Sequence, residues 1–197
     1  MPSNEAEPSL SPEHGRTLLQ LARASIRHGL VHRRPAPLDL AEYAPEFRQP
    51  RATFVTLLHE TRLRGCVGTL DARRPLALDI VHNAYAAAFQ DPRFPPLDAF
   101  EFGRLRLRLS LLTPPAPFYA ASEAELRAKL VPFEDGIILR EGSRHGTLLP
   151  SVWESLPEPA RFVEHLKLKA GLPRTYWSDT IRLWRYRTEL IDEDTGH

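Results

Sequence analysis

The spacing of apolar residues predicts a chain that mixes helices with strands. After Ser11-Pro12, which is typical of a helix start with serine as N-cap and proline in the first turn, apolar residues recur at helical spacing. These are Leu18, Leu19, Ala22, Ile26 and Leu30. Gly29 lies near the predicted end of this helix.

A second helix is predicted from Pro75 to about Gln90. Its apolar face consists of Leu76, Ile80, Val81, Ala84 and Ala88. Because several of these residues are alanines, the helix is slim enough to pack closely against a sheet. Asp79, His82 and Asn83 share its other face.

Strands are predicted where β-branched and aromatic residues cluster or alternate with polar ones. They cover residues 51–60, 63–70, 104–112, 136–140, 147–149 and 179–190, with hairpins joining the first pair and the pair 136–149. Shorter helices are predicted over 122–130 and 159–170. Strands in hairpins mixed with helices favour an α+β fold with mainly antiparallel pairing.

The domain organisation follows from the proline-rich bridge at 113–121. We expect one domain over residues 10–190, with a smaller lobe at about 114–150. Residues 1–9 are predicted to be a flexible tail, since they carry acids and prolines without an apolar core.

One strand carries the most unusual stretch of the chain, residues 63–70. It contains the single cysteine, Cys66, between Gly65 and Gly68, with Arg64 before it and Thr69 after it. Because glycine weakens a strand interior, two glycines here indicate that something approaches the backbone closely. A ligand, a partner or a packed neighbour would each explain them.

A second unusual stretch, residues 91–97, follows the alanine-rich helix. Its three prolines predict a rigid, extended loop that holds Asp91 and Arg93 in place. Taken alone, however, the stretch is more typical of a helix terminator with a local ion pair.

The amino-acid composition excludes several classes of protein. The chain is 42% hydrophobic and 26% charged, which excludes a disordered chain, and its net charge of +1 produces no overall field that attracts nucleic acid or an acidic membrane. A single cysteine excludes an internal disulfide. Since no apolar run approaches the ~20 residues of a membrane span and the N-terminus lacks a signal-peptide core, we expect a cytoplasmic protein.

The sequence gives little support for a metal site or a nucleic-acid-binding site. His28 and His32 have helical ligand spacing but no third ligand nearby, so we expect neither a metal nor a cofactor. Arg104, Arg106 and Arg108 lie on one face of a predicted strand and could bind phosphates. Such a row is more typical of a solvated face that pairs with acids on neighbouring strands, which makes nucleic-acid binding a weaker alternative.

Several of these stretches together resemble the AMMECR domain family. They are Leu63-Arg64-Gly65-Cys66-Val67-Gly68-Thr69, the run from Ala86 to Leu97, Leu109-Ser110-Leu111-Leu112-Thr113-Pro114-Pro115, Asp135-Gly136, Gly146-Thr147-Leu148-Leu149-Pro150-Ser151-Val152 and Lys169-Ala170-Gly171-Leu172-Pro173 with Trp177. They span most of residues 10–190 in order. Ser151 departs from the usual glutamine.

The resemblance implies an α+β fold of two unequal lobes, with the cysteine motif near a cleft between them. Prokaryotic members of the family are called AmmeMemoRadiSam system protein A. The resemblance therefore implies an association with a Memo-like protein and a radical-SAM protein, but it supplies no reaction.

Two functions remain open for this site. The favoured one is an accessory subunit that binds a partner or a small anionic ligand; the candidate ligand-binding residues are Arg64, Gly65, Cys66, Gly68, Thr69, Asp91, Arg93, Phe94 and His145. The other is a cysteine-dependent enzyme with Cys66 as nucleophile, whose thiolate would need Arg64 or a histidine (His59, His82 or His145) nearby. The competing explanation for the arginine is a structural ion pair between Arg64 and Asp91.

Overall fold

The computed structural model describes residues 10–193, so the tail predicted at residues 1–9 lies outside the described part. The described residues divide into two compact units. The first comprises residues 10–112 together with 189–193, and the second comprises residues 113–188.

The first unit contains four helices and four strands among its described residues. They are α1 (Pro12–His32), α2 (Pro45–Arg48), β1 (Thr53–His59), β2 (Arg62–Gly68), α3 (Leu76–Phe89), α4 (Ala99–Phe102), β3 (Leu105–Leu112) and, from the far end of the chain, β8 (Thr188–Asp192). The sheet has the order β2-β1-β3-β8, and β1 is antiparallel to both of its neighbours.

Helix α1 begins as the sequence predicts, since the Ser11 side chain accepts a hydrogen bond from the His14 N–H. It continues to His32 and closes on Arg33, whose φ of 56° is left-handed, so Gly29 lies near its end as predicted. A Cβ on Gly29 would lie 2.5 Å from the Phe89 ring. This glycine therefore allows close packing of α1 against α3 rather than terminating the helix.

Helix α3 packs on the sheet with the predicted apolar face: Leu76, Ile80, Val81, Ala84 and Ala88 are all buried. The prediction of a second, shared polar face is wrong. Only His82 is exposed, whereas Asp79 and Asn83 are buried. Their burial requires hydrogen-bond partners inside the protein.

The second unit contains β4 (Ala116–Phe118), α5 (Glu123–Lys129), β5 (Gly136–Glu141), β6 (Arg144–Leu148), α6 (Pro159–Lys169) and β7 (Arg182–Tyr186). Its sheet has the order β4-β7-β5-β6 with antiparallel pairing, and β5 and β6 form the predicted hairpin. Trp153 and Phe162 stack in its core with ring centroids 3.9 Å apart. The α+β class is thus confirmed, while the cleft between the lobes stays a prediction.

The strand predicted over 179–190 is in fact two strands, β7 and β8, which belong to different sheets. Arg187 separates them, and its N–H donates to Thr113 Oγ1 at 2.9 Å. The short strand β4 was not predicted because it lies in the proline-rich bridge. As an edge strand it tolerates Pro117, which has no N–H to donate.

Among the described residues, no helix combines the length and apolar character that a bilayer span requires.

Candidate functional site

Arg64 occupies a β-bulge in β2. Leu57 of β1 pairs with Gly65, and the next residue, Leu58, pairs with Leu63, so Arg64 is the extra residue. A bulge turns a side chain away from its regular direction. Here the Arg64 side chain is only 10% exposed.

The buried guanidinium of Arg64 binds Glu101, which follows the N-cap of α4. Its Nε donates to Glu101 Oε1 at 2.7 Å, and its Nη2 donates to Glu101 Oε2 at 2.9 Å and to the Pro95 carbonyl at 3.0 Å. These hydrogen bonds hold the pKa of Glu101 below its usual value. The bidentate pair with Glu101 shows that the competing explanation, a structural ion pair between Arg64 and Asp91, is wrong.

Asp91 forms a second cluster, with Cys66 and Arg93. Its buried carboxylate accepts from the Cys66 N–H at 2.9 Å, from the Arg93 N–H at 3.1 Å and from Arg93 Nη2 at 2.7 Å. The Arg93 guanidinium, followed by the main-chain donors, holds the pKa of Asp91 well below its usual range.

The same loop also binds the carbonyl of Cys66, to which Arg93 Nη2 donates at 3.2 Å. Cys66 lies at a position of the edge strand β2 where both main-chain groups point away from β1. Asp91 and Arg93 satisfy them in place of a neighbouring strand. The proline-rich loop thus binds the main chain of Cys66 at the edge of the sheet.

The Cys66 thiol is partly buried and free. Thr56 Oγ1 lies 3.3 Å from Sγ and is its one hydrogen-bond partner within residues 10–193. No histidine in this range hydrogen-bonds the sulfur.

Gly65 and Gly68 are needed because parts of this protein approach them. A Cβ on Gly65 would lie 2.2 Å from the Ala87 carbonyl oxygen of α3, and one on Gly68 would lie 2.2 Å from the Phe54 ring. Of the three explanations that the sequence left open, the packed neighbour is the one observed.

Phe94 brings the two arginine clusters together. The guanidinium carbons of Arg64 and Arg93 lie 5.8 and 5.5 Å from the centroid of its ring. Phe94 is partly exposed and Arg93 is exposed. Arg64, Cys66, Asp91, Arg93 and Phe94 thus form one site on the β2 edge, which we call the Cys66 edge.

Thr69 belongs to a neighbouring buried network centred on Asp79. Asp79 Oδ2 accepts from Thr69 Oγ1 at 2.8 Å, from Thr53 Oγ1 at 2.7 Å and from Asn83 Nδ2 at 2.9 Å, and Arg74 Nε donates to Oδ1 at 3.0 Å. This network ties α3 to the ends of β1 and β2. The only signal for it in the sequence is the Asp-Asn pair four residues apart in an otherwise apolar helix.

The remaining sequence candidates lie elsewhere. His145 belongs to the second unit, in β6, where it pairs with Arg140 of β5. In the arginine row of β3, Arg108 pairs with Asp192 of the neighbouring strand β8 at 2.7 Å, as expected for that residue. Residues 10–193 contain no group of three or more histidine, cysteine, aspartate or glutamate side chains placed to share a metal ion.

The sequence family follows from comparison with known proteins. The AMMECR1 family model matches residues 19–191. The chain belongs to the AMMECR1 family.

Related proteins of this family occur in archaea and bacteria. A protein of Methanothermobacter thermautotrophicus is 35% identical over 94% of this chain and 97% of its own length. A protein of Thermotoga maritima is 39% identical over 83% of this chain and 88% of its own length. The crystal structure of an uncharacterized protein from Pyrococcus horikoshii matches with a TM-score of 0.86 and 29% identity, covering 94% of each chain. The AMMECR1 fold is therefore present over nearly the whole chain.

Proposed function

We propose that this AMMECR1-family protein is an accessory binding subunit that acts in the cytoplasm with a Memo-like protein and a radical-SAM protein. In this proposal the Cys66 edge is a contact surface for a partner or a small ligand, and the protein does not itself use Cys66 as a nucleophile.

The observation that carries the proposal is the way in which Cys66 is held. Its N–H and its carbonyl are both bound by the pair Asp91–Arg93, and its thiol accepts a hydrogen bond from the Thr56 hydroxyl. A catalytic thiolate needs a base or an uncompensated positive charge close by. The guanidinium of Arg93 is instead paired with a carboxylate. This environment favours a rigid surface over an activated nucleophile.

Arg93 is the residue of this surface best placed to meet a ligand. Its side chain is 54% exposed, although Nε and Nη2 are engaged by the protein. Its Nη1 hydrogen-bonds no residue within 10–193. Because Asp91 already fixes the guanidinium, little side-chain entropy is lost when a carboxylate or phosphate binds its outer edge.

The proposal is tested by assembling the protein with its two expected partners and measuring complex formation and any copurified ligand or product by mass spectrometry. We expect Cys66→Ala to leave the complex intact and Arg93→Ala to weaken it by about tenfold, the loss of one charge-assisted contact. The matched control is Arg73→Ala, since Arg73 also pairs with an aspartate two residues earlier but is 82% exposed.

A cysteine-dependent enzyme would give the opposite pattern. If Cys66→Ser abolished formation of a product while the complex still assembled, the thiol would be chemical and the binding-subunit proposal would be wrong. If neither partner bound the unaltered protein, the assignment of partners would fail.

A further inference from the structure

One face of the sheet in the second unit points away from the core that residues of α5 and α6 share. Ile137, Leu139 and Leu183 are buried in the core formed with α5 and α6. Successive residues of a strand point to opposite faces, so the alternate residues of β5 and β7 point away from that core. Among them, Arg140 and Arg182 are exposed.

A row of basic side chains crosses this second face. Arg182 of β7 pairs with Arg140 of β5, and Arg140 pairs in turn with His145 of β6. Residues paired across antiparallel strands share a face, and like charges placed directly opposite each other destabilise a sheet. The register thus brings two positive charges together on one face of the sheet.

The protein compensates the positive charge of the row only in part. Neither Arg140 nor Arg182 forms an ion pair within residues 10–193. Glu141, which follows Arg140, accepts from the hydroxyl groups of Tyr176 at 2.8 Å and Thr180 at 2.7 Å, and the charge of Arg182 helps to lower its pKa. The row can therefore attract an external anion.

Aromatic rings lie beside the cations. The next row on the same face contains Trp184, which is partly exposed, and the Arg140 guanidinium carbon lies 5.3 Å from its ring centroid. Trp184 also lines a groove of about 720 Å³ beside this face, together with Tyr119, which is 79% exposed, and with Glu125 and Lys129 of α5. Arg182 lines the same groove.

We infer that this face binds single-stranded nucleic acid, with phosphates on the row Arg182–Arg140–His145 and bases stacked on Trp184 and Tyr119. Cationic side chains that follow the backbone, combined with aromatic rings that stack on bases, are the usual elements of such sites. Three strands at ~4.8 Å spacing make the row about 10 Å wide, enough to follow a strand rather than a single phosphate. A duplex would hide the base faces from the rings.

This inference concerns the second unit and does not depend on the function proposed for the Cys66 edge. Its test is the binding of the full chain to fluorescein-labelled single-stranded RNA and DNA of about 12 nucleotides, measured by anisotropy at low and moderate salt. We expect Arg140→Ser combined with Arg182→Ser to weaken binding about tenfold or more at low salt. The salt dependence should also fall, by about 0.7 in log–log slope for each lost phosphate contact.

The matched control combines Arg16→Ser with Arg161→Ser. It removes the same charge from exposed positions on α1 and α6, neither of which forms an ion pair within residues 10–193. This control should bind within about twofold of the unaltered protein if the effect is local. Equal losses in the two double variants would show attraction by overall charge and would overturn the inference.

Two further variants probe the rest of the face. Trp184→Leu should weaken binding about fivefold or more through lost stacking. Asp179→Asn should tighten it, because Asp179 lines the groove and repels phosphate. The inference would be refuted if a duplex of the same sequence bound as tightly as the single strand. It would also be refuted if a poly-glutamate peptide competed equally well, because the face would then bind an acidic protein segment.

Discussion

Replacing Asp91 by alanine tests whether the loop 91–97 holds the Cys66 edge together. The carboxylate is 3% exposed and accepts hydrogen bonds from the main chain of Cys66 and from both the main chain and the side chain of Arg93. Its removal leaves the Cys66 N–H without a partner on an edge strand and leaves a guanidinium without its counter-ion. Both effects destabilise the folded state.

The expected loss of unfolding free energy depends on how deeply the Asp91–Arg93 ion pair is buried. Breaking a buried ion pair by removing one partner costs about 3–5 kcal/mol. Because the Arg93 side chain is 54% exposed, water recovers part of that loss, and we expect Asp91→Ala to lower the free energy of unfolding by about 3 kcal/mol. The chain contains a matched control, since Asp71 pairs with Arg73 at the same sequence spacing but with both side chains exposed. Asp71→Ala should cost less than about 0.5 kcal/mol.

The assay is urea unfolding of the unaltered protein and both variants, followed by fluorescence. The reasoning would be refuted if Asp91→Ala and Asp71→Ala lowered the free energy of unfolding equally. The Asp91 contacts would then contribute no more stability than a surface ion pair.

The pH dependence gives an independent check of the same contacts. The pKa of Asp91 is lower in the folded state than its ordinary value of about 3.9. Its stabilising effect is therefore complete above that value and is lost as the pH falls through the folded pKa. Below about pH 4 the stability difference between the unaltered protein and Asp91→Ala should shrink, and a constant difference would contradict the assignment.

Three further predictions address the same unit. Gly65→Ala should cost about 3 kcal/mol in unfolding free energy, because its Cβ would meet a main-chain carbonyl of α3, whereas Gly103→Ala has open space and should be nearly neutral; equal melting temperatures would contradict this. A double-mutant cycle between Arg64 and Glu101 should give a coupling of about 1–3 kcal/mol in unfolding free energy, and a coupling near zero would refute the bidentate pair. The partly buried Cys66 thiol should react more slowly with a thiol reagent in the native protein than in urea; equal rates would count against its burial.

The sequence by itself determined the elements that depend on local periodicity. The alternating leucines of β3 and the apolar stripe of α3 were predicted within one or two residues of their observed bounds, because burial on one side imposes a period of two or 3.6 on any such segment. The serine cap of α1 was equally predictable, since it depends on a contact three residues away.

Tertiary structure decided which groups meet. The sequence offered Asp91 as the partner of Arg64, but the bulge in β2 directs this arginine to Glu101, which is 37 positions away. Nor could the sequence show that the strand predicted over 179–190 divides between two sheets, because Arg187 does not interrupt the apolar pattern.

The candidate sites show the same division. The motif around Cys66 and the rigid loop 91–97 were both visible as local patterns, whereas their contact through Asp91 was not. The row of Arg182, Arg140 and His145 has no local signature, since its members come from three strands and become neighbours only through sheet register. Register is set by the packing of whole strands against a core, so it depends on distant residues that no local window of the sequence contains.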